Sequence, residues 1–260
     1  MKRTIIPEIK KEIIYKLAQR GCREDDRNLD TFREIKFQIN PIGTAEGSAR
    51  VQLGKTDVLV GIKLQTGEPY PDKPDHGVLM TGCELKPMAH PGFESGAPSD
   101  DSVEIARVVD RGIRESNMID MHKLCITPGK KIWMVFLDIQ VINYDGNLFD
   151  AATIASLLAL HNATVPAARF NEGKDFPLPV NSWPITITFV KLRDMMLVDP
   201  TLMEELSADA RLTVSLDEKG HIRAMQKGLK GSLTYDDVGR ALDTAQKLTL
   251  DIRSRLISGE

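Results

Sequence analysis

Arg107, Arg111 and Arg114 stand four and three residues apart in the segment EIARVVDRGIRES, a spacing that puts all three on one stripe of a helix. Guanidinium groups are planar forks that grip phosphate oxygens without reading a base, so such a stripe suits a nucleic-acid backbone. A plainer use is open to it as well: Glu104–Arg107 and Asp110–Arg114 pairs would make it a solvated face. Other chemistry is thinly supplied. The five histidines (76, 90, 122, 161 and 221) are scattered, without a His-x-x-x-His and without pairing to the cysteines, so no metal centre is expected. Gly54-Lys55-Thr56 ends like a phosphate-binding loop, but position 49 is alanine where that loop needs glycine, and a strand pattern follows. There is no Gly-x-Ser-x-Gly elbow, and Gly43-x-x-x-Gly47 lacks the strand–glycine–helix setting of a dinucleotide site. No cofactor is expected.

Composition narrows the partners. The net charge of −3 over 260 residues gives no bulk attraction for nucleic acid or membranes, so any contact with RNA must be a local basic patch. No run of eighteen apolar residues occurs, and the opening MKRTIIPEIKKE lacks the apolar core of a signal peptide; a soluble, cytoplasmic protein is the expectation. Cys22, Cys83 and Cys125 are odd in number and far apart, which suggests reduced thiols.

The elements that must carry the arginines can be read from periodicity. Pro7 to Leu17 predicts a short amphipathic helix, and the charged segment 20–27 after it reads as a solvated connector. Alternation predicts a strand at 35–39 and a hairpin from Ala49 to Leu64 around Gly54-Lys55. Another strand spans 77–86. The arginine helix opens after Ser99 to Ser102 and buries Ile105, Val108, Val109 and Ile113.

The block from Lys131 to Leu160 organises the rest. It predicts a central strand covered on both faces, a turn at Asp145-Gly146, and a buried helix with Asp150 as its N-cap. Trp133 and Trp183 read as core or interface residues. Strands at 184–192 and 195–198, a turn with a helical start at 199–205, a hairpin of 211–216 and 221–226 around Gly220, and a last helix capped by Thr234 and Asp237 complete the chain. No internal repeat and no firm domain boundary is visible, so a single domain over 1–260 is expected.

Several of these segments together resemble the RNase PH family: Gly47-Ser-Ala-x-Val-x-x-Gly-x-Thr56, the arginine helix, the central strand into Asp145-Gly146 with Ala151-Ala152 behind it, and Val198-Asp-Pro-Thr-x-x-Glu-Glu205. RVVDRGIRES, KLCITPGKKIW, NYDGNLFDAA and LVDPT look most like the branch of non-catalytic ring subunits of the archaeal exosome. The resemblance implies an α+β fold of two pseudo-symmetric βαβα halves, akin to domain 2 of ribosomal protein S5. Active members trim RNA from its 3′ end with inorganic phosphate. They hold that phosphate with a Thr-Arg pair two and three residues beyond the turn glycine, where this chain has Leu148 and Phe149. They also carry two aspartates six residues apart, and the matching positions here are Glu205 and Arg211. Leucine and phenylalanine offer no donor or charge to an anion, and arginine can be neither base nor metal ligand. The resemblance therefore implies a subunit with no catalytic residues of its own and with Arg107 and Arg111, less firmly Arg114, along an RNA strand. It further implies a catalytic RNase PH-like partner, three heterodimers closing a six-membered ring, and RNA-binding cap subunits on one face.

Overall fold

The computed structural model describes residues 8–259. Helix α1 (Glu8–Gln19) comes first; Pro7, expected in its first turn, lies outside the described residues. Six strands then form one sheet: β1 (Ile35–Ile39), β2 (Gly47–Leu53), β3 (Thr56–Gly67), β4 (Val78–Leu85), β5 (Cys125–Thr127) and β6 (Lys131–Asn143). The spatial order is β1-β2-β3-β6-β4, with β5 paired to β6. Strand β6 runs antiparallel to β3, with Val60 opposite Ile139, and parallel to β4, with Cys83 opposite Ile139. The parallel pair requires a crossover, and helix α2 (Asp100–Glu115) lies within it. Helix α3 (Leu148–His161) follows β6, and a two-stranded ribbon of β7 (Thr164–Val165) and β8 (Phe176–Pro177) leads away from it.

The second sheet holds β9 (Ile185–Leu192), β10 (Met195–Val198), β11 (Ala210–Leu216) and β12 (Ile222–Gly228) in the order β10-β9-β11-β12. Helix α4 (Leu202–Ser207) bridges β10 and β11, and α5 (Tyr235–Ser258) ends the described chain behind Thr234 and a capping box to Asp237. Each half thus runs strand, helix, strand, helix, as expected from the sequence. Helix α3 packs on β2 and β3 of the first sheet and on β9 of the second, while α5 covers the far side of β9 and β11. That double coverage explains why every residue from Leu148 to Leu160 is buried, and why all of β9 except Lys191 and all of β11 are too. Close approach depends on Gly47, where an added Cβ would lie 2.5 Å from the carbonyl oxygen of Ala159 on α3.

Three sequence expectations need correction. Strand β6 is covered along its whole length on one face only: Trp133, Val135, Leu137, Ile139 and Val141 are buried, but on the other face, beyond the buried Ile132, Met134, Phe136 and Gln140 are half-exposed and Asp138 is exposed. The apolar character of its outer face hid this alternation. Helix α3 is capped by Asn147, whose side chain accepts from the Asp150 N–H; Asp150 itself lies inside the first turn and is fully buried. Segment 20–27 is exposed as a solvated connector would be, except at Arg23 and Arg27. Arg23 is 3% exposed and clamps Glu204 and the carbonyls of Val198 and Asp199, and Arg27 reaches the Asp199 carboxylate.

Candidate functional site

Helix α2 begins at Ser99, whose hydroxyl accepts from the Ser102 N–H at 3.2 Å, with Asp100 and Asp101 complementing the positive helix end. Its buried stripe, Ile105, Val108, Val109 and Ile113, faces the core, and Arg107, Arg111 and Arg114 are exposed, as the spacing predicts. The structure divides the three. Arg107 and Arg111 line one groove of about 370 Å³ with Glu104 and Gln226, and Arg111 Nη1 donates to Gln226 Oε1 at 3.3 Å. Arg114 turns away: it donates to Asp110 at 2.9 Å and to the Leu79 carbonyl at 3.4 Å, beside a different cleft that Tyr70 and His76 line. Of the two ion pairs expected along the helix, Asp110–Arg114 forms. Glu104 does not pair with Arg107; its carboxylate meets Arg211 of β11 at 2.5 Å. Arg107 has no hydrogen-bond or ion-pair partner among the described residues, so its charge remains available on the groove wall.

Arg211 links this groove to the start of α3. The turn there is over-determined. Thr56 Oγ1 donates to the Gly146 carbonyl at 2.7 Å and accepts from the Asp145 N–H at 3.1 Å. Gly146 sits at φ +88°, with the backbone of Thr201 2.4 Å from where a Cβ would stand, so only glycine fits. Asn147 then takes the left-handed conformation and its amide donates to Asp199 and Asp150. Asp199, fully buried, also receives three bonds from Arg33, whose Nη1 reaches the Asp145 carbonyl. Burial alone would raise the Asp199 carboxyl, but the bonds from Arg33 and Asn147 and the charge of Arg27 hold it below the ordinary value. Asp150 lacks such a cation, and burial pushes its carboxyl up to about 7 despite bonds from Asn147 and Thr188.

A helix start with free N–H groups is a natural anion site. Here the protein supplies the anion. The Asn147 N–H donates to Glu205 Oε2 at 2.9 Å, so a carboxylate already sits against the positive end of α3. Leu148 and Phe149, each 4% exposed, close the space beside it. The Arg211 guanidinium lies 4.2 Å from the centre of the Phe149 ring and 3.8 Å from Glu205, and it stacks over Gly228, where a Cβ would touch its Nη2 at 2.7 Å. Glu205, Arg211, Phe149 and Leu148, picked out on the sequence, are therefore one cluster. Its charges compensate one another, and the Nε of Arg211 is buried without a partner. Sequence reasoning missed the network of Arg23, Arg27, Arg33, Asp199 and Glu204 that fixes this turn. Its one visible signal was the Val198-Asp-Pro-Thr segment.

This geometry is that of a known family. Residues 31–166 match domain 1, and residues 182–247 match domain 2, of the RNase PH, or 3′ exoribonuclease, family, and the chain belongs to it. The exosome complex component Rrp42 of Thermoplasma volcanium is 52% identical over 96% of this chain and 96% of its own length. The component of the same name from Methanocella arvoryzae is 46% identical over 98% of both chains. A chain of the Archaeoglobus fulgidus exosome, solved with RNA bound to the active site, superposes with a TM-score of 0.93 at 43% identity, covering 95% of this chain and 98% of that one. Rice Rrp46, at 19% identity and a TM-score of 0.71, shares the fold. The architecture is accordingly the RNase PH-like α+β fold.

Proposed function

We propose that this chain is a ring subunit of an exosome-type 3′–5′ exoribonuclease complex, in which it shapes the ring and holds RNA without performing phosphorolysis itself. The observation that carries this reading is the Glu205 carboxylate on the Asn147 N–H, with Phe149 and Arg211 packed beside it: the position for an attacking anion is filled from within. Near identity in length to the Rrp42 components supports the same place in an assembly. The partner in this reading is a catalytic RNase PH-like subunit, alternating with this one in a hexamer of three heterodimers, with RNA-binding caps on one face. Arg107 and Arg111 then grip the backbone of single-stranded RNA on its way to the partner's site. Arg114, neutralised by Asp110, contributes little.

The test is phosphate-dependent trimming of a 3′-labelled single-stranded RNA by the purified chain, alone and after assembly with the catalytic partner. The expected result is release of nucleoside diphosphates from the assembly only. Phosphorolysis by the isolated chain would instead make it an independent exoribonuclease and end the proposal.

A further inference from the structure

His76 and His122, scattered in sequence, come together in space. Each approaches a different oxygen of one carboxylate, with His76 Nδ1 2.7 Å from Asp75 Oδ1 and His122 Nδ1 3.4 Å from Asp75 Oδ2. The two imidazole centres are 3.9 Å apart, tilted by 47°. One donor atom from each of the three side chains falls within a sphere where every pair is separated by no more than 4.8 Å. Ligands held about 2.0–2.2 Å from a tetrahedral zinc ion stand roughly 3.4 Å from one another, so small side-chain adjustments bring this set into range.

The convergence is built into the backbone. The loop bearing Asp75 and His76 is tied at both flanks: the Gly129 N–H donates to the Pro74 carbonyl, and the Gly77 N–H to the Met121 carbonyl, both at 2.8 Å. Gly77 is pressed so closely on the short 3-10 helix Met121–Leu124 that a Cβ would lie 2.5 Å from Leu124 Cβ. Asp120 caps that helix through the Lys123 N–H, and its own N–H donates to Pro179. His122 is thereby presented to the loop on a fixed support. Both histidines line a cleft of about 390 Å³ that also holds Asn117, Asp120 and Arg114.

We propose that Asp75, His76 and His122 form a binding site for a single divalent transition-metal ion, with its remaining coordination positions open to the cleft. Two imidazoles and one carboxylate suit Zn²⁺, Co²⁺ or Ni²⁺, whereas Mg²⁺ and Ca²⁺ require an all-oxygen shell. The site shares no residue with the cluster at the start of α3 and stands independently of the reading given for that cluster. The alternative is a carboxylate that does no more than pair with two imidazoles.

Binding is tested on the full-length chain, freed of metal by chelation, with Cys22→Ser removing the one exposed thiol. Cobalt(II) is titrated while its visible absorption is followed, and zinc is measured by competition, on the isolated chain and within the assembled ring. One ion per chain, undisturbed by millimolar Mg²⁺, is expected. His76→Ala and His122→Ala should each weaken binding by at least the ~100-fold that loss of a mere outer-shell partner can cost. Thermal melts of the metal-free variants, in which only exposed or half-exposed side chains change, establish that they fold. Failure of the parent chain to bind either ion overturns the proposal, as does binding by both histidine variants as tight as by the parent chain.

Discussion

Removing the two free arginines together gives the most direct measure of the RNA reading. Arg107 has no partner among the described residues, and Arg111 donates only to the uncharged Gln226, so each brings a full positive charge to the groove. Each phosphate neutralised on a single strand contributes a slope of about 0.7 to the fall of log affinity with log salt. Arg107→Ala with Arg111→Ala should therefore flatten the slope by about 1.4. Between 50 and 200 mM salt, a fourfold change, the parent complex then loses about sevenfold more affinity than the variant. Arg114→Ala is the internal control. Its charge is already matched by Asp110 at 2.9 Å, so its slope should move by less than about half of one phosphate's share. Fluorescence anisotropy of a labelled single-stranded RNA on the assembled complex, across a salt series, reads all three. All three side chains are exposed, so folding and assembly should be unaffected. An unchanged slope in the double variant, or an equal loss in Arg114→Ala, refutes the division of labour along α2.

Asp199→Asn leaves Arg33 and Arg27 without their buried carboxylate and should cost about 3–5 kcal/mol in urea unfolding; a loss under about 1 kcal/mol would show the network to be dispensable. Phe149→Arg sets a second cation beside Arg211 in place of an aromatic face, and should destabilise the chain while phosphate still fails to bind, since Glu205 keeps the helix end. Calorimetric titration with inorganic phosphate checks this, and binding by the single variant would show that Glu205 does not block the site. Asp150, with its carboxyl pushed up to about 7, holds a proton in the folded chain that the unfolded chain releases near 3.8, so this group's contribution falls as pH rises through that window. Asp150→Asn should remove that part of the decline, and parallel stability–pH curves for the two proteins would contradict it.

What the sequence made legible was local. Thr234 and Asp237 announce the capping box of α5 because both partners lie within one turn. The cap of α3 was misread for the opposite reason. Asp150 has the right residue type, but the true cap, Asn147, depends on a left-handed backbone that Thr56, Arg33 and Thr201 hold in place from distant segments. Arg23 and Arg27 looked like solvent-facing charge because the buried carboxylates they reach, Glu204 and Asp199, lie more than 170 residues away. The arginine stripe gave the exposed face of α2 correctly. Helical spacing fixes where the Cα atoms point, however, and not where a seven-atom side chain ends, so the departure of Arg114 toward Leu79 was invisible. The outer side of β6 misled in another way: Met134 and Phe136 carry apolar character whether or not the chain itself covers them.

Arg211 connects the closed anion site to the open groove, and the connection runs through Glu104. On α2 that carboxylate stands three residues before Arg107, the spacing at which an exposed pair would form and cancel the arginine's charge. Arg211 is 7% exposed and needs an acidic partner more strongly than a solvated arginine does, so it captures Glu104 and leaves Arg107 free. The cation that fills the space beside Phe149 therefore also preserves positive charge where RNA would run. Arg211→Met should release Glu104 to turn back toward Arg107. In the assembled complex the salt slope for RNA should then shrink by up to one phosphate's share, about 0.7, although no residue of the groove wall has been changed. Adding Glu104→Gln should restore the lost slope, because the amide cannot neutralise Arg107. If Arg211→Met leaves the slope intact, or Glu104→Gln fails to restore it, the two sites are neighbours without being coupled.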